Sequence, residues 1–254
     1  MKHHAEELSG TLYSRRDLYA IRATSSRLST VLSQLIRAVR PGVSGVDLNA
    51  YALHLLREHG LESALRGYQG FPGVVAISPD STAAHGIPDD SALNEGSIVS
   101  LDMGVRRNGW HADAALTVPV GTISRGRAEL IRAAHACCRA GIRVIRAGCD
   151  VAEIGAAVRA EAARRGVTLV SVCGGHGVGR SLHEPPHYRY DDMPHGLVLR
   201  RGNVITVEPV ITGGPDELMI AADGHSMITM SGRDCAQFEY TVYVDENGPV
   251  VLTE

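Results

Sequence analysis

Two segments with the same pattern of helix signals lie 106 residues apart in this chain of 254, and they constrain the fold more than any other feature. Each segment has a helix stop with glycine, a helix N-cap followed three residues later by an acid, and a closing glycine. The matched positions are Arg40 and Gly42 with Arg146 and Gly148, Ser44 and Asp47 with Asp150 and Glu153, and Gly60 with Gly166. The constant spacing predicts an internal duplication. Two unrelated helix pairs that share common caps remain the alternative.

The segments that follow each helix pair are typical of β-strands, so the chain is predicted to have an α+β fold. Helices are predicted over residues 13–40 and from Ser44 to Gly60. Strands are predicted at 74–78, 97–107, 110–120, 204–211 and 235–244, and Asn108 with Gly109 is a strong signal for a hairpin turn. We therefore expect an antiparallel sheet flanked by helices. A flexible tail at 1–10 would precede a single domain over 11–254, whose related halves cover about 11–120 and 121–254.

Composition excludes several classes of protein. With 44% hydrophobic and 21% charged residues, the chain is typical of a globular protein, and no apolar run approaches the ~20 residues that cross a bilayer. A net charge of −3 gives no basic surface of the kind that binds nucleic acid. The N-terminus has no apolar core of a secretory signal, and five cysteines without a CxxC pair indicate reduced thiols, so we expect a cytoplasmic protein. The chain has twelve histidines, more than its eleven Trp, Tyr and Phe residues together, and this excess suggests metal or acid–base chemistry.

Two aspartates lie on the two arms of the predicted hairpin. With a two-residue turn at 108 and 109, Asp102 lies opposite Ala115, and Asp113 lies two positions from Ala115 on the same strand. Because side chains alternate along a strand, both carboxylates are expected on one face, in diagonal contact. Like charges in apolar surroundings raise each other's pKa unless a cation neutralises them. A divalent metal ion is the simplest solution, although either aspartate alone could cap a turn.

Two glutamates and three histidines complete the candidate set. Glu208 and Glu239 lie inside strongly β segments, where acids are depleted, although each alone could face solvent. His176 and His183 lie in a glycine-rich segment without the Lys-Ser/Thr of a phosphate-binding loop, so we expect the glycines to let the backbone approach a site closely. His85 opens a turn after a strand. Four acids in hydrophobic strands are the composition that a dinuclear metal centre requires.

Five motifs occur in order along the chain. They are HGIPDD at 85–90, the aspartates Asp102 and Asp113 of the hairpin, GHGVGRSLHEPP at 175–186, TVEP at 206–209 and CAQFEYT at 235–241. In this order they resemble the methionine aminopeptidases of the pita-bread fold, from about residue 12 to the C-terminus. The short spacing between His183 and Glu208 is similar to the bacterial type I enzymes. The resemblance implies a pseudo-twofold α+β domain, in agreement with the internal repeat.

The resemblance also implies an activity, the removal of the initiator methionine when the second residue is small. Two divalent cations (Co, Mn, Fe or Zn) would activate the water that attacks the first peptide bond. The implied ligands are Asp102, Asp113, His176, Glu208 and Glu239, of which Asp113 and Glu239 would bridge both ions. His183 would contact the carbonyl oxygen, His85 would contact the substrate amide, and Glu208 would also move a proton.

A side-chain pocket and a set of partners follow from the same resemblance. The implied substrate-binding residues are Tyr68, Phe71, Ala76, Leu182 and His225, together with His85 and His183. Leu65 and Ala76 stand where many members have cysteine, Leu182 where Phe is frequent and His225 where Trp is frequent. The smaller side chains at 76 and 182 predict a wider pocket that accepts leucine as well as methionine. The expected partners are N-terminal methionyl peptides and nascent chains, with transient ribosome contact. We expect a monomer that binds neither nucleic acid nor membranes.

Two other functions remain open at this stage. An X-Pro dipeptidase or creatinase relative would use the same fold, but such proteins resemble longer chains with an additional N-terminal domain. A non-catalytic peptide-binding module would be expected to lose metal ligands, and all five implied ligands are present in this sequence. A metalloaminopeptidase is therefore the function that the sequence favours.

Overall fold

Four α-helices, in two consecutive pairs, form within the described part of the chain. The structure is a computed structural model, and it describes residues 10–170, 173–191 and 196–254. The helices are α1 (Arg15–Ile36), α2 (Gly45–Glu58), α3 (Arg125–Arg143) and α4 (Val151–Arg165). The tail predicted at 1–10 lies outside the described residues, apart from Gly10. Among the described residues, no helix has the length and the apolar character needed to cross a membrane.

The N-caps of α2 and α4 form as the sequence predicts. In each cap the N-cap side chain and the acid three residues later bond each other's backbone N–H groups, Ser44 with Asp47 and Asp150 with Glu153. Each N-cap residue also forms an isolated antiparallel bridge, Ser44 with Ala92 and Asp150 with Val198. The bridge partners repeat the spacing of 106 residues. The repeated pattern therefore extends from the helices to the segments that lead into the strands.

Helix α1 is shorter than the sequence predicts. The predicted helix continues to residue 40, but α1 ends at Ile36. The N–H groups of Ala38 and Val39 bond three residues back, to the carbonyls of Leu35 and Ile36. These tighter bonds occupy the last helical carbonyls and end the helix before Pro41.

The main sheet has eleven strands among the described residues, and its strand pairs are antiparallel. In chain order the strands are β1 (Glu62–Ser63), β2 (Ala76–Pro79), β3 (Thr82–Ala84), β4 (Ile98–Arg107), β5 (Trp110–Pro119), β6 (Thr168–Leu169), β7 (Gly174–Gly177), β8 (Glu184–Arg189), β9 (Val204–Val207), β10 (Val210–Thr212), β11 (Leu218–Ile220), β12 (Met227–Thr229), β13 (Cys235–Asp245) and β14 (Gly248–Val251). The main path runs β1-β4-β5-β13-β9-β7-β8, and β11, β12 and β3 form a small separate sheet. The predicted α+β class, with an antiparallel sheet flanked by helices, is confirmed.

One predicted strand is divided. The segment 204–211 forms β9 and β10 with a break at Glu208 and Pro209. Proline has no N–H to donate to a sheet, so the ladder cannot continue through this position. Because of this break, Glu208 directly follows the last residue of β9, and its side chain lies at the end of the strand.

Each helix pair packs against the strands of its own half. Helices α1 and α2 cover β4 and β5 through a buried cluster that includes Leu28, Leu55 and Val105. Helices α3 and α4 cover β9 and β13 through a second cluster that includes Cys138 and Ile205. Burial of an aliphatic side chain of this size stabilises a fold by roughly 1.5–3 kcal/mol. The two clusters therefore hold β5, β13 and β9 side by side, and the candidate ligands lie on these strands and their neighbours.

Candidate metal centre

Three neighbouring strands align three of the predicted acids. Asp102 of β4 lies opposite Ala115 of β5, as the hairpin register predicts. On the other side of β5, Ala115 lies opposite Glu239 of β13. Asp113 is two residues from Ala115 and therefore points to the same face of the sheet. One row across three strands thus brings Asp102, Asp113 and Glu239 together.

The second half of the sheet adds His176 from β7 and Glu208 from the end of β9. The Nε2 atom of His176 lies 3.3 Å from Oε1 of Glu208 and 3.8 Å from Oδ2 of Asp113. Potential ligand atoms lie within 4.8 Å of one another in three overlapping groups, Asp102 with Asp113 and Glu239, His176 with Glu208 and Glu239, and Asp113 with His176 and His183. The structure therefore brings all five predicted ligands to one place.

Hydrogen bonds to the backbone hold His176 and Glu208 in position. The Thr206 hydroxyl accepts a bond from the His176 N–H at 3.0 Å and donates to Oε1 of Glu208 at 2.6 Å. The N–H of Glu208 donates to the Tyr190 hydroxyl at 2.6 Å. Nδ1 of His176 lies 2.9 Å from the carbonyl of Gly177, which requires a proton on Nδ1 and leaves the lone pair of Nε2 directed at the acids.

Two further features fix the backbone of the site. Thr241 bonds both the N–H and the carbonyl of Asp113, at 3.2 and 2.7 Å, and so ties β13 to β5 beside the acids. A Cβ atom at Gly175 would lie 2.4 Å from the Tyr188 ring, and one at Gly177 would lie 2.3 Å from the carbonyl oxygen of Pro185. Only glycine fits at these two positions, because the chain on either side of His176 packs directly against neighbouring segments.

Burial and mutual repulsion shift the acids toward their neutral forms. Burial raises the pKa of Asp102 to about 7 and that of Glu208 to about 8. Burial also raises the pKa of Asp113 well above its ordinary value, and the charges of Asp102 and Glu208 add to this shift. The pKa of Glu239 is raised well above its ordinary value by burial and then by the charge of Asp113. The pKa of His176 is lowered to about 3 by burial, so the imidazole is neutral. The acids are therefore fully ionised at neutral pH only if a cation compensates them.

Two buried carboxylate oxygen atoms lack a hydrogen-bond partner among the described residues. They are Oδ1 of Asp113 and Oε1 of Glu239, both on side chains that are almost completely buried. A buried carboxylate oxygen without a partner is costly, because it loses its hydration and gains no bond in return. Four carboxylates and one imidazole form a donor set that suits divalent cations of the Mn, Fe, Co or Zn type. The residues present therefore fit a metal centre.

Next to this centre lies a cavity of about 410 Å³ with an aromatic wall. Its lining includes Tyr68, Phe71, Ala76 and His225 as well as the acids. The ring of His225 meets Phe71 edge to face, with the centroids 5.8 Å apart. The structure thus brings four of the predicted pocket residues, together with Leu65, to the same cavity.

Leu182 is the predicted pocket residue that does not line this cavity. Its side chain is buried, 4% exposed, and a Cβ atom at Gly104 would lie 2.7 Å from its Cδ1 atom. Leu182 therefore packs against the backbone of the β4 strand, behind the cavity wall. The sequence could not show this position, because it depends on where the loop after β7 folds over the hairpin.

His85 and His183 both reach the centre from loops. His85 follows β3 with φ of 55°, in the left-handed region, and lines the cavity. The ring of His183 meets that of His176 edge to face, with the centroids 4.2 Å apart. Burial lowers the pKa of His183 to about 4. The pKa of His85 is also lowered, first by burial and then by the charge of His225. Both rings are neutral at pH 7 and can donate a hydrogen bond from one nitrogen.

Sequence reasoning missed two residues of the cavity, His187 and Gln69. His187 lies opposite His176 in the β7–β8 pair and lines both the first cavity and an adjoining one of about 450 Å³. Its position directly after the predicted motif at 175–186 could have indicated His187. Gln69 lines the first cavity from a turn with φ of 47°. No signal in the sequence marks Gln69.

Known proteins match this sequence over nearly its whole length. A profile of metallopeptidase family M24 matches residues 19–246. The methionine aminopeptidase of Treponema pallidum is 38% identical over 236 residues, which cover 92% of this chain and 92% of that protein. Methionine aminopeptidase A of Synechocystis sp. is 35% identical over 245 residues, which cover 96% of this chain and 97% of that protein.

Solved structures match the fold. The crystal structure of methionine aminopeptidase from Rickettsia prowazekii has a TM-score of 0.94 at 30% identity, covering 96% of this chain and 100% of that chain. The Xaa-Pro dipeptidase of Bacillus anthracis has a TM-score of 0.79 at 21% identity, covering 98% of this chain and 62% of that chain, and this likeness concerns the fold alone. The predicted pita-bread fold is confirmed. With a family profile that spans residues 19–246 and relatives above 30% identity over at least 92% of both chains, this chain belongs to metallopeptidase family M24.

Proposed function

We propose that this protein is a methionine aminopeptidase, which hydrolyses the first peptide bond of proteins that begin with Met and have a small second residue. One observation carries the proposal, the cluster of buried acids and His176 that opens onto a cavity with an aromatic wall. The cluster fits divalent cations, and the cavity fits an unbranched apolar side chain. Relatives that match this chain over nearly their whole length are named methionine aminopeptidases, and these names support the same substrate.

Five residues hold the metal ions in this proposal. Asp102 would hold one ion, His176 and Glu208 would hold the second, and Asp113 and Glu239 would be shared by both. Bound divalent ions supply Lewis acidity, which lowers the pKa of a water molecule and polarises the scissile carbonyl. The unpartnered oxygens of Asp113 and Glu239 support the bridging role, because each of these side chains has an oxygen atom that no donor among the described residues satisfies.

The remaining polar groups handle the substrate and its protons. Glu208, ionised when a cation compensates its charge, can accept a proton from the attacking water and pass it to the leaving amine. His183, neutral and beside the centre, donates a hydrogen bond to the carbonyl oxygen as negative charge develops there. His85, which also lines the cavity, donates to the substrate amide or to the leaving amine.

Tyr68, Phe71, Ala76 and His225 enclose the methionine side chain, while Leu182 supports the hairpin from behind. Nascent chains are the proposed physiological substrates, with the protein acting as a monomer in transient contact with the ribosome.

Residues 11–254 form one catalytic domain of two related halves, about 11–120 and 121–254, which the repeated caps and bridges support. Cytoplasmic location is supported by the five free cysteines, four of them buried.

Peptide hydrolysis with controlled metal content tests this function. The protein, stripped by a chelator and reloaded with Mn²⁺ or Co²⁺, is incubated with Met-Ala-Ser, Met-Lys-Ser and the dipeptide Ala-Pro. We expect release of methionine from Met-Ala-Ser only after reloading, slow cleavage of Met-Lys-Ser and no cleavage of Ala-Pro. Rapid cleavage of Ala-Pro would indicate a dipeptidase instead, and metal binding without hydrolysis of any peptide would indicate a binding module.

Matched aspartate variants separate the centre from general effects of charge. Asp113→Asn removes a proposed bridging ligand and is expected to lower metal content and kcat together. Asp245→Asn changes an acid of the same size at the end of β13, where it pairs with Arg201 at 3.6 Å, and is expected to leave both unchanged. Full activity and full metal content in Asp113→Asn would refute the dinuclear assignment.

A further inference from the structure

A tyrosine of the cavity wall contacts the histidine that faces the metal centre. The hydroxyl of Tyr68 lies 2.7 Å from Nδ1 of His183, and the two rings are 5.1 Å apart, tilted by 43°. This contact joins residues that are far apart in sequence, and neither helix nor strand pairing forces it. The His183 ring also meets the ring of His176, with the centroids 4.2 Å apart. His183 therefore contacts both a proposed ligand and a tyrosine hydroxyl.

We propose that Tyr68 is a positioning residue, whose hydroxyl donates to Nδ1 of His183 and so keeps the His183 proton on Nε2. A neutral imidazole carries one proton, so occupation of Nδ1 as an acceptor makes Nε2 the donor. Nε2 is then the nitrogen that can donate to the carbonyl oxygen of the substrate. The inference rests on the proposed function, and it gives Tyr68 a role beyond that of a wall for the methionine side chain.

The turn that carries Tyr68 has an unusual backbone. Gly67, Gln69 and Gly70 on either side of Tyr68 have φ values of 84°, 47° and 85°. A non-glycine residue such as Gln69 adopts this region at a cost of about 1 kcal/mol or more, so the turn persists only where its surroundings favour it. The N–H of Gly67 bonds the carbonyl of Phe71 at 2.8 Å and closes the turn. This closed turn directs Tyr68 at His183 while Phe71 reaches His225.

Removal of the hydroxyl alone tests the inference. In Tyr68→Phe the ring and the cavity wall remain, so KM for Met-Ala-Ser is expected to change less than twofold. We expect kcat to fall by ~10-fold, as the loss of one well-aligned hydrogen bond predicts, with metal content unchanged. Tyr51→Phe is the matched control, because Tyr51 on α2 has the same exposure of 38% and lies against His54. Its kinetics are expected to equal those of the wild type.

The double variant separates positioning from a general structural effect. If Tyr68 acts only through His183, then Tyr68→Phe causes no further loss of kcat in a His183→Ala background. An equal loss of kcat in both backgrounds would overturn the proposal. So would a rise of KM in Tyr68→Phe with unchanged kcat, because that result would restrict Tyr68 to the cavity wall.

A measurement of the imidazole itself does not depend on activity. The ¹⁵N spectrum of histidine-labelled, zinc-loaded protein distinguishes the two tautomers, and the His183 signals are assigned by their absence in His183→Ala. We expect Nε2 to carry the proton in the wild type and a mixture of tautomers in Tyr68→Phe. An unchanged tautomer in Tyr68→Phe would refute the proposal. If the wild type failed to cleave Met-Ala-Ser, the proposed function would be refuted. The spectrum would still show whether Tyr68 sets the tautomer of His183.

Discussion

The metal-free protein is expected to gain stability when Asp102 is replaced by Asn, and the gain is expected to grow with pH. Burial raises the pKa of Asp102 from an ordinary value of 3.8 to about 7. A carboxyl with a raised pKa in the fold binds its proton more tightly there than in the unfolded chain. The fold therefore loses stability as pH rises from the unfolded pKa through the folded one.

The size of the effect follows from the two pKa values. Between 3.8 and about 7, at ~1.36 kcal/mol per pH unit, ionisation of Asp102 costs the fold about 4 kcal/mol. An asparagine at this position would have a similar shape and no charge. The free energy of unfolding of Asp102→Asn should therefore match that of the wild type near pH 4 and exceed it by up to about 4 kcal/mol at pH 8.

Urea unfolding in the presence of a chelator, at intervals from pH 4 to pH 8, measures this difference. Comparison of two proteins that differ at one residue cancels the titration of the groups that do not interact with Asp102. Asp17→Asn is the control of opposite sign, because hydrogen bonds from Ser14 lower the pKa of Asp17. That variant should lie below the wild type by a nearly constant amount from pH 4 to pH 8, because a carboxyl with a pKa below 3.8 is already ionised in this range. With saturating Mn²⁺ the order for Asp102 should reverse, since the variant has lost a ligand. A difference between Asp102→Asn and the wild type that stays constant from pH 4 to pH 8 would refute the reasoning.

Three other expectations concern the substrate and the hairpin. His183→Ala and His85→Ala should each lower kcat by ~10²-fold with the metal retained, as loss of a hydrogen-bond donor to the reacting groups predicts; release of metal with unchanged kcat would contradict these roles. The wild type should prefer Met-Ala-Ser over Leu-Ala-Ser by only ~1 kcal/mol in kcat/KM, because Ala76 leaves space in the cavity, and Ala76→Cys should sharpen the preference; a rate with the leucine peptide below detection would contradict a wide cavity. Gly104→Ala should lower the free energy of unfolding by ~1–3 kcal/mol, because the added Cβ meets Leu182 at 2.7 Å; an unchanged urea midpoint would contradict the packing of Leu182.

Local features of the chain could be predicted because neighbouring residues decide them. The side chains of Ser44 and Asp47 bond each other's backbone groups within one helical turn, so the cap is readable from the sequence. The turn at Asn108 and Gly109 sets the register of β4 and β5, and this register determines that Asp102 lies opposite Ala115. The end of α1 at Ile36 was predicted less well, since propensity alone does not show where three-residue bonds replace helical ones.

The site itself combines both kinds of information. The four acids and His176 could be chosen by residue type, since carboxylates in hydrophobic strands need compensation. In the sheet, β13 lies between β5 and β9 and so brings Glu239 close to the hairpin acids and to Glu208. The local sequence pattern does not predict this strand order. The resemblance to a known family supplied that arrangement, and the structure agrees with it.

The sequence by itself determined the caps, the hairpin register and the residues able to bind a cation, because each depends on contacts within a few positions of the chain. Only the tertiary structure decided that Leu182 packs behind the cavity wall against Gly104, that His187 lines the cavity and that Tyr68 contacts His183. These contacts join segments separated by many residues. Their formation depends on how the two buried clusters position whole strands and loops against one another, and periodicity and propensity carry no information about that relative placement.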